Sequence, residues 1–343
     1  MKAVVFSGHG GPNVLHYTDL PEPTIGAKEV LVRVRACALN HLDIWIRRGL
    51  PGVAIALPHV LGSDIAGEVA KTGEGVSTVR AGDRVLLAPG ISCGACVHCL
   101  EGRDNLCRQY TLFGYLVDGG YAQFVKAPVV NVIPIPARLT FEQAAAVPLV
   151  FLTAWHMLIT RARLQPAEEV LILGGGSGVG SAAIQIAKCT GARVIATAGS
   201  EAKLAKAKEL GADEVVLHSG GDFGNEVKRL TNRRGVDVVL EHVGRVTWEQ
   251  SLRSLAVGGR LVTCGATTGF EGAVDIRYLF SRNLSIIGTY MGGKGELFAV
   301  LDLVDRGLLK PVIDRVMPLE QATQAHERLE NREHFGKIVL QIP

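Results

Sequence analysis

The sequence predicts an α/β protein of two domains: a β-rich domain that carries a metal-binding lobe, and a domain built on a doubly wound parallel sheet. Three observations predict it. Short strand patterns fill about the first 140 residues, strands and helices alternate from residue 169 onward, and a glycine-rich loop follows the first strand of that alternation. The length of 343 residues suits two domains, and 48% hydrophobic residues suffice for two buried cores.

The first domain is predicted to consist mostly of antiparallel strands. Residues 28–38 alternate apolar and polar side chains, as a half-buried strand does, and residues 62–70 and 83–88 have the composition of further short strands. The chain after residue 292 is predicted to return to this domain, with helices at 295–307 and 319–331 and a final strand at 336–342.

The second domain is predicted from its alternating elements. An alanine-rich helix at 141–147 precedes it. The predicted strands cover 169–174, 192–198, 214–217, 236–243 and 259–266, and helices are predicted at 179–189 and 201–210. This order is typical of a parallel sheet with helices on both faces. The predicted domains are therefore 1–148 together with 292–343, including a metal lobe at 90–110, and 149–291.

Four cysteines predict the metal lobe. Cys93, Cys96, Cys99 and Cys107 have the spacing C-x2-C-x2-C-x7-C, and four thiolates at about 2.3 Å make a closed tetrahedral zinc site. Because such a site has no free coordination position, we expect one structural Zn²⁺ per chain. Disulfides or unrelated cysteines are less favoured by this spacing. An iron–sulfur cluster is also less favoured, because no second cysteine group follows.

The other cysteines, the net charge and the lack of long apolar runs bear on the cellular compartment and the binding partners of the protein. Cys37, Cys189 and Cys264 lie in apolar stretches and are predicted to be buried thiols, and free thiols beside a thiolate metal site favour a reducing cytoplasm. A net charge of +3 is too small to indicate a nucleic-acid partner. The N-terminus has no signal-peptide pattern and no apolar run reaches membrane-spanning length, so no membrane partner is expected.

The glycine-rich loop predicts a dinucleotide site. It lies between a strand and a helix, where glycines let backbone N–H groups approach a pyrophosphate at the positive end of the helix dipole. The strict G-x-G-x-x-G spacing is absent, and the loop reads G-x-x-S-x-x-G. The candidate cofactor-binding residues in it are Gly174, Gly176, Ser177, Gly178, Val179 and Gly180.

The strand after this loop bears on the type of cofactor. An acidic residue at its end would bind the ribose 2′-hydroxyl of NAD, but the strand ends Thr197-Ala198-Gly199-Ser200. Lys203 follows in the first turn of a helix, where a cation opposes the helix dipole unless an anion lies nearby. Ser200 and Lys203 are therefore predicted to hold the 2′-phosphate of NADP, which is favoured over NAD. The alternative is Ser200 as a helix cap and Lys203 as a solvated residue, with Glu201 next to them.

Together these features resemble the medium-chain dehydrogenase/reductase superfamily, which contains zinc alcohol dehydrogenases and quinone oxidoreductases. The resemblance covers nearly the whole chain, through the cysteine lobe, the glycine loop, GVDVVLEHVG, GGRLVTCGATTG and FGKIVL. It implies a GroES-like catalytic domain and a Rossmann domain that binds a nicotinamide cofactor. Gly244, Gly265 and Ala266 end strands whose carboxyl ends face the cofactor in this fold.

The alcohol dehydrogenases of this superfamily also carry a catalytic zinc, and the resemblance places its usual ligands at Asn40, Ser63 and Leu149. Leucine has no lone pair to offer, and Asn and Ser bind zinc poorly compared with thiolate or imidazole. The usual proton-relay positions hold Leu42 and Trp45. The chain is therefore similar to the zinc-independent quinone oxidoreductase branch, although that branch does not usually carry the cysteine lobe.

The resulting hypothesis is hydride transfer between NADPH and a small-molecule quinone, enone or other carbonyl compound. Asn40 and His41 would polarise the acceptor, Asp43 would orient Asn40 or cap a helix, and Thr153 would contact the nicotinamide, by resemblance. One alternative is an alcohol dehydrogenase with a rearranged metal site built from His41, Asp43, His59 and Asp64. Another is a non-enzymatic nucleotide-binding protein. Residues 283–291 are predicted to form an edge strand, so a homodimer or homotetramer is expected.

Overall fold

The computed structural model describes residues 1–218 and 221–343, which form two compact units. Unit 1 contains residues 1–149, 293–301 and 311–343, and unit 2 contains residues 150–292 and 302–310. Residues 302–310 were predicted to belong to the first domain. This segment instead joins unit 2, where the Gln185 side chain donates to the Lys310 carbonyl at 3.0 Å and accepts from the Lys310 N–H at 2.8 Å.

Unit 1 is built mainly from strands. Its strands are β1 (Lys2–Phe6), β2 (His16–Asp19), β3 (Glu29–Ala38), β4 (His59–Val60), β5 (Asp64–Thr72), β6 (Arg84–Leu87), β7 (Gly90–Ile91), β8 (Thr111–Leu112), β9 (Phe124–Pro128), β10 (Val132–Pro134), β17 (Ile313–Pro318) and β18 (Lys337–Gln341). The largest sheet has the order β10-β6-β5-β3-β18-β17, with β9 also paired to β3, and a smaller sheet has the order β2-β1-β4. β17 and β18 are parallel, whereas β3 pairs antiparallel with β5, β9 and β18.

The burial of its side chains and the close approach of β5 place β3 at the centre of the largest sheet. Val30, Val32 and Val34 are fully buried in the core of unit 1, as the predicted alternation requires. Leu31 and residues 36–38 are buried as well, so β3 is buried along most of its length and not on one face only. Gly67 on β5 lies so close to β3 that a Cβ atom would stand 2.0 Å from the Arg33 carbonyl oxygen. The helices of this unit are α1 (His41–Arg48), α2 (Val97–Leu100), α3 (Phe141–Ala145) and α11 (Ala322–Glu330). Helix α4 (Pro148–Trp155) continues into unit 2.

Unit 2 is the predicted parallel sheet. Its strands are β11 (Glu169–Ile172), β12 (Arg193–Ala198), β13 (Glu214–Leu217), β14 (Val236–Glu241), β15 (Leu255–Thr263) and β16 (Ser285–Gly288). The sheet order is β13-β12-β11-β14-β15-β16, and every neighbouring pair is parallel. Its helices are α5 (Gly178–Thr190), α6 (Glu201–Glu209), α7 (Phe223–Leu230), α8 (Trp248–Arg253) and α9 (Ile276–Ser281), and α10 (Lys294–Asp305) ends here. The predicted α/β fold class is confirmed.

Strand β16 lies at the edge of this sheet, where residues 283–291 were predicted to form an edge strand. Its pairing with a second copy of the chain stays a prediction. The expectation that the three thiols outside the lobe are buried was wrong for two of them. Cys37 is buried as predicted, but Cys264 is only partly buried. Cys189 is exposed, because it lies at the C-terminal end of α5 rather than on its buried face. In the described part of the chain, no helix is both long and apolar enough to cross a bilayer.

Candidate functional site

The four cysteines of the lobe converge on one point. Their sulfur atoms all lie within 4.8 Å of one another, with Cys93 and Cys99 3.9 Å apart and Cys96 and Cys99 3.5 Å apart. Zinc–sulfur bonds of about 2.3 Å in a tetrahedron need sulfur separations of about 3.8 Å. The backbone N–H groups of Ala95 and Cys96 lower the pKa of Cys93 to about 6, which favours the thiolate. This donor set fits zinc and leaves no position for a substrate.

The lobe is anchored by residues that the sequence analysis did not identify. β7 and β8 pair antiparallel at its base. The Asn131 side chain donates to the carbonyl groups of Ala88 and Gly90, at 2.8 and 2.6 Å. The Asp104 carboxylate accepts from the Lys294 N–H at 2.7 Å, and the Lys294 ammonium donates to the Asn131 side-chain oxygen at 3.3 Å. These contacts join segments far apart in the chain, so no local pattern indicates them.

The glycine loop of unit 2 has the geometry of an anion site at a helix N-terminus. The Ser177 hydroxyl accepts from the Gly180 N–H at 2.9 Å and caps α5. Gly174 has φ of +59°, a conformation that favours glycine. A Cβ on Gly180 would stand 2.2 Å from the Gly174 carbonyl oxygen, so this close approach requires glycine as well. Gly176, Gly178 and Val179 complete the loop and the first turn.

Three polar side chains beside this loop were missed. Thr197, at the end of β12, accepts from the Gly174 N–H at 3.1 Å. His218 lies 3.2 Å from the Thr197 hydroxyl. A His242 ring nitrogen lies 2.8 Å from the Leu173 carbonyl oxygen, and burial lowers the pKa of His242. Thr197 is the penultimate residue of β12, and His218 and His242 directly follow β13 and β14. The carboxyl ends of parallel strands meet at one edge of a sheet, and that rule could have indicated all three residues.

The ends of β14 and β15 meet at the same edge. Gly244 has φ of +92°, and a Cβ there would stand 2.9 Å from the Ala266 Cα. The Thr263 hydroxyl donates to the Gly265 carbonyl at 3.3 Å. Glu241 is buried and accepts from the Gly244 N–H at 2.8 Å, which holds the turn. The predicted strand-end residues thus lie together in unit 2, whereas their contact with a cofactor stays a prediction.

Ser200 and Lys203, the residues predicted to distinguish NADP from NAD, lie at the N-terminus of α6. Ser200 occupies the N-cap position, but its side chain accepts no hydrogen bond from the helix. Lys203 lies in the first turn and is half-buried. Glu201 also lies in the first turn, and its side chain is exposed. The Ser200 hydroxyl therefore does not perform the capping role that was the alternative to phosphate binding.

The polar centre of unit 1 is formed by Asn40, Asp43, Asp64 and Lys337, all of them buried. The Asn40 amide donates to Asp64 at 2.9 Å, and its oxygen accepts from the Lys337 ammonium at 2.6 Å. Lys337 also donates to Asp64 at 2.8 Å. The Asp43 carboxylate accepts from the N–H groups of Asn40 and Gly62, at 2.7 and 3.1 Å, so it orients the start of α1. Burial raises the pKa of Asp43 to about 6.

Ser63 and Leu149, the other two positions where the resemblance places zinc ligands, also form hydrogen bonds within the protein. The Ser63 hydroxyl donates to the Phe113 carbonyl at 2.6 Å, and the Leu149 N–H donates to Asp64 at 2.8 Å. His41 packs edge-on against Trp45, with ring centroids 5.0 Å apart. Thr153, in unit 2, is buried and donates to the Met291 sulfur at 3.7 Å. The catalytic roles assigned to Asn40, His41, Asp43 and Thr153 stay predictions.

A buried chain of hydrogen bonds leads away from Asp43. The Tyr121 hydroxyl lies 3.4 Å from the Asp43 carboxylate and 3.2 Å from His326 Nε2. His326 Nδ1 lies 3.3 Å from an Arg47 nitrogen. Arginine can only donate, so His326 accepts through Nδ1 and donates through Nε2 to Tyr121, which donates to Asp43. Burial, and then the Arg47 charge, lower the pKa of His326 to about 3, so His326 is neutral.

The rearranged metal site is not assembled in this part of unit 1. His59 Nε2 donates to the Gly114 carbonyl, 3.1 Å away, and Asp64 is bonded to Lys337. Across residues 1–218 and 221–343, the lobe cysteines are the group of three or more potential ligands that lie close enough to share an ion. The absence of this rearranged site does not test whether the chain binds a catalytic zinc elsewhere. That the chain lacks a catalytic zinc stays a prediction.

Comparison with known proteins places this architecture in a family. Residues 26–137 match the family "Alcohol dehydrogenase GroES-like domain", and residues 178–306 match "Zinc-binding dehydrogenase". The chain is 32% identical to a quinone oxidoreductase of Rattus norvegicus, over 99% of this chain and 97% of the relative. It is 31% identical to an acryloyl-coenzyme A reductase of Metallosphaera sedula, over 99% of each. A solved NAD-dependent alcohol dehydrogenase is 49% identical, covers 100% of both chains and superposes with a TM-score of 0.97.

The fold and these matches define an NAD(P)-dependent oxidoreductase. The chain belongs to the medium-chain dehydrogenase/reductase superfamily, with a GroES-like first domain as the resemblance implied. The alternative of a non-enzymatic nucleotide-binding protein is therefore set aside.

Proposed function

We propose that this enzyme transfers hydride from NADPH to an electron-poor π-system, a quinone or an α,β-unsaturated carbonyl compound, with no metal ion at the reacting centre. Such acceptors need less Lewis-acid assistance than a simple ketone. Relatives named quinone oxidoreductase and acryloyl-coenzyme A reductase support this class of substrate. In the proposal the four lobe cysteines hold one structural zinc, and a reduced nicotinamide supplies the hydride when bound.

The proposal depends on one observation, the chemistry at Asn40, Ser63 and Leu149. None of these side chains is a thiolate, an imidazole or a carboxylate, and the two polar ones are already hydrogen-bonded. The Lys337 ammonium also lies against Asn40. This ammonium would repel a metal cation bound at Asn40, and the Asp64 carboxylate, which would attract such a cation, is already paired with Lys337. These residues therefore favour chemistry that works without a second metal.

Turnover and metal content test this function together. We expect NADPH-dependent reduction of at least one quinone, enone or unsaturated thioester, and about one zinc per chain by elemental analysis. The activity should persist after treatment with a chelator that leaves the lobe zinc in place. Turnover restricted to alcohols and aldehydes, together with about two metal ions per chain, would refute the proposal.

Alcohol–aldehyde interconversion is the second candidate function. The 49% identity to the solved NAD-dependent alcohol dehydrogenase favours it. The same assay includes alcohols with NAD⁺ and NADP⁺, so the two functions are separated by the acceptor that is turned over and by the metal count.

The cofactor preference is tested at Lys203. In the proposal its ammonium makes a charge-assisted hydrogen bond to the 2′-phosphate, so Lys203→Ala should weaken NADPH binding by about tenfold or more. NADH has no such phosphate and should bind the variant within about twofold of the wild-type affinity. Fluorescence titration with both cofactors measures this difference.

Lys206→Ala is the matched control, because Lys206 lies one turn later on α6 and is exposed. The Lys206→Ala variant should bind NADPH and NADH with the same affinities as the wild type. If Lys203→Ala weakens NADPH and NADH binding equally, the assignment of Lys203 to the 2′-phosphate is wrong.

A further inference from the structure

Lys337 is a buried cation that the predicted mechanism does not use. Its side chain is 3% exposed, and that of its partner Asp64 is 0% exposed. Strand β18 begins at Lys337 and pairs with the end of β3, with Val339 opposite Ala38. This register brings Lys337 beside Asn40, which directly follows β3. Burying two opposite charges is costly and is often no more stabilising than a packed apolar pair, so stability alone does not account for the lysine.

The partners of Lys337 fix its position and leave donor capacity. Its ammonium has two acceptors among the described residues, Asn40 Oδ1 and Asp64 Oδ2. An ammonium can donate three hydrogen bonds, so one N–H remains for a ligand. Asp64 is held in turn by the Leu149 N–H, and Asn40 by Asp64. The cation is therefore held rigidly, as a group that stabilises a developing negative charge must be.

We propose that Lys337 is the residue that stabilises the oxygen of the acceptor during reduction. This inference rests on the proposed function. A bound reduced nicotinamide would supply hydride to form a C–H bond at the electron-poor carbon, and the displaced π-electron pair would move to the carbonyl oxygen of the acceptor. The third N–H of Lys337 donates a hydrogen bond to that oxygen, which then takes a proton from water. The nicotinamide is oxidised and the acceptor is reduced by two electrons.

Asn40 thereby has a role different from the predicted one. Its amide oxygen and one amide N–H are used to hold Lys337 and Asp64, so Asn40 acts as a positioning residue. The positive charge of the site comes from a lysine that follows Asn40 by 297 residues in the chain. The enzyme would thus use an ammonium for the electrostatic task that a bound metal cation could perform.

Two variants separate catalysis from folding. Lys337→Met keeps much of the side-chain volume and removes the charge, and it should lower kcat by about a hundredfold or more, as loss of one oxyanion donor does. The double variant Asp64→Asn with Lys337→Met removes both charges, so no carboxylate stays buried without a partner. It should melt closer to the wild-type temperature than the single variant, yet remain as inactive. Lys126→Met, an exposed strand lysine of the same unit, is the matched control and should keep full activity.

A second measurement does not require turnover. 4-Nitrophenol resembles a reduced oxygen anion, and its absorbance distinguishes phenolate from phenol. With oxidised cofactor bound, the wild type should bind it as the phenolate, whereas Lys337→Met should bind it about tenfold more weakly and as the neutral phenol. Equal phenolate binding by both proteins, no binding by the wild type, or a folded double variant with wild-type kcat would each overturn the role of Lys337. A wild type that reduces no acceptor but shows the phenolate difference would instead refute the proposed function.

Discussion

Replacing Glu330 with glutamine is expected to lower the free energy of unfolding by about 3–5 kcal/mol, because it leaves a buried charge without its partner. Arg47 is 0% exposed, and Glu330, which is 14% exposed, is the carboxylate paired with it. Glutamine has nearly the same shape and can still accept a hydrogen bond, so packing is preserved while the charge is lost. The effect should appear in urea unfolding as a lower midpoint with an unchanged slope.

Two further variants define the origin of that effect. Arg48 also bonds to Glu330, at 2.9 Å, but it is 60% exposed, so Arg48→Met should cost less than about 1 kcal/mol. The double variant Arg47→Met with Glu330→Gln removes the buried charge and should recover much of the loss. If Arg48→Met costs as much as Glu330→Gln, the buried pair is not the origin of the effect.

Replacing Cys107 with serine is expected to abolish tight zinc binding. Cys107 is the buried ligand of the lobe, and a hydroxyl is a far poorer zinc ligand than a thiolate. Loss of an outer-shell partner alone costs 10–100-fold in metal affinity, so loss of a direct ligand should weaken binding by more than about a hundredfold. Zinc content after dialysis against a chelator measures this directly.

Hydrogen exchange locates the consequence of zinc loss. Because the metal holds the loop together, residues 93–107 should lose protection in Cys107→Ser, while the parallel sheet of unit 2 should exchange as in the wild type. Cys189→Ser is the control, since Cys189 is exposed and lies in unit 2. Full retention of zinc by Cys107→Ser would contradict the assignment of the four ligands.

Elements with local signals could be predicted from the sequence. The strand predicted at 214–217 is β13, and the helix predicted at 201–210 is α6 to within one residue. The spacing of the four cysteines also indicated their convergence, because neighbouring ligands lie within one short segment. The glycine loop was identifiable for the same reason: strand, turn and helix follow one another directly in the chain.

The partners in the polar centre of unit 1 could not be predicted, because they are distant in sequence. Lys337 and Asp64 are 273 residues apart, and Tyr121 and His326 are 205 residues apart. A lysine at the start of an apolar strand gives no periodic signal of burial, since such positions are usually solvated. Asn40 could be singled out from the sequence, because the resemblance places a usual zinc ligand at its position. That both its oxygen and one N–H are occupied depends on the pairing of β18 with β3.

The paired strands at the base of the zinc lobe have an evolutionary consequence. Because Gly90 is opposite Leu112 and Ile91 is opposite Thr111, the chain leaves unit 1 and re-enters it at adjacent points. A two-residue hairpin turn can join two such strands. The segment between β7 and β8 can therefore be inserted or deleted as one piece, without a change in the path of the chain before or after it. The framework of unit 1 would be the same with or without this lobe, so a zinc-stabilised lobe is compatible with the metal-free chemistry proposed above.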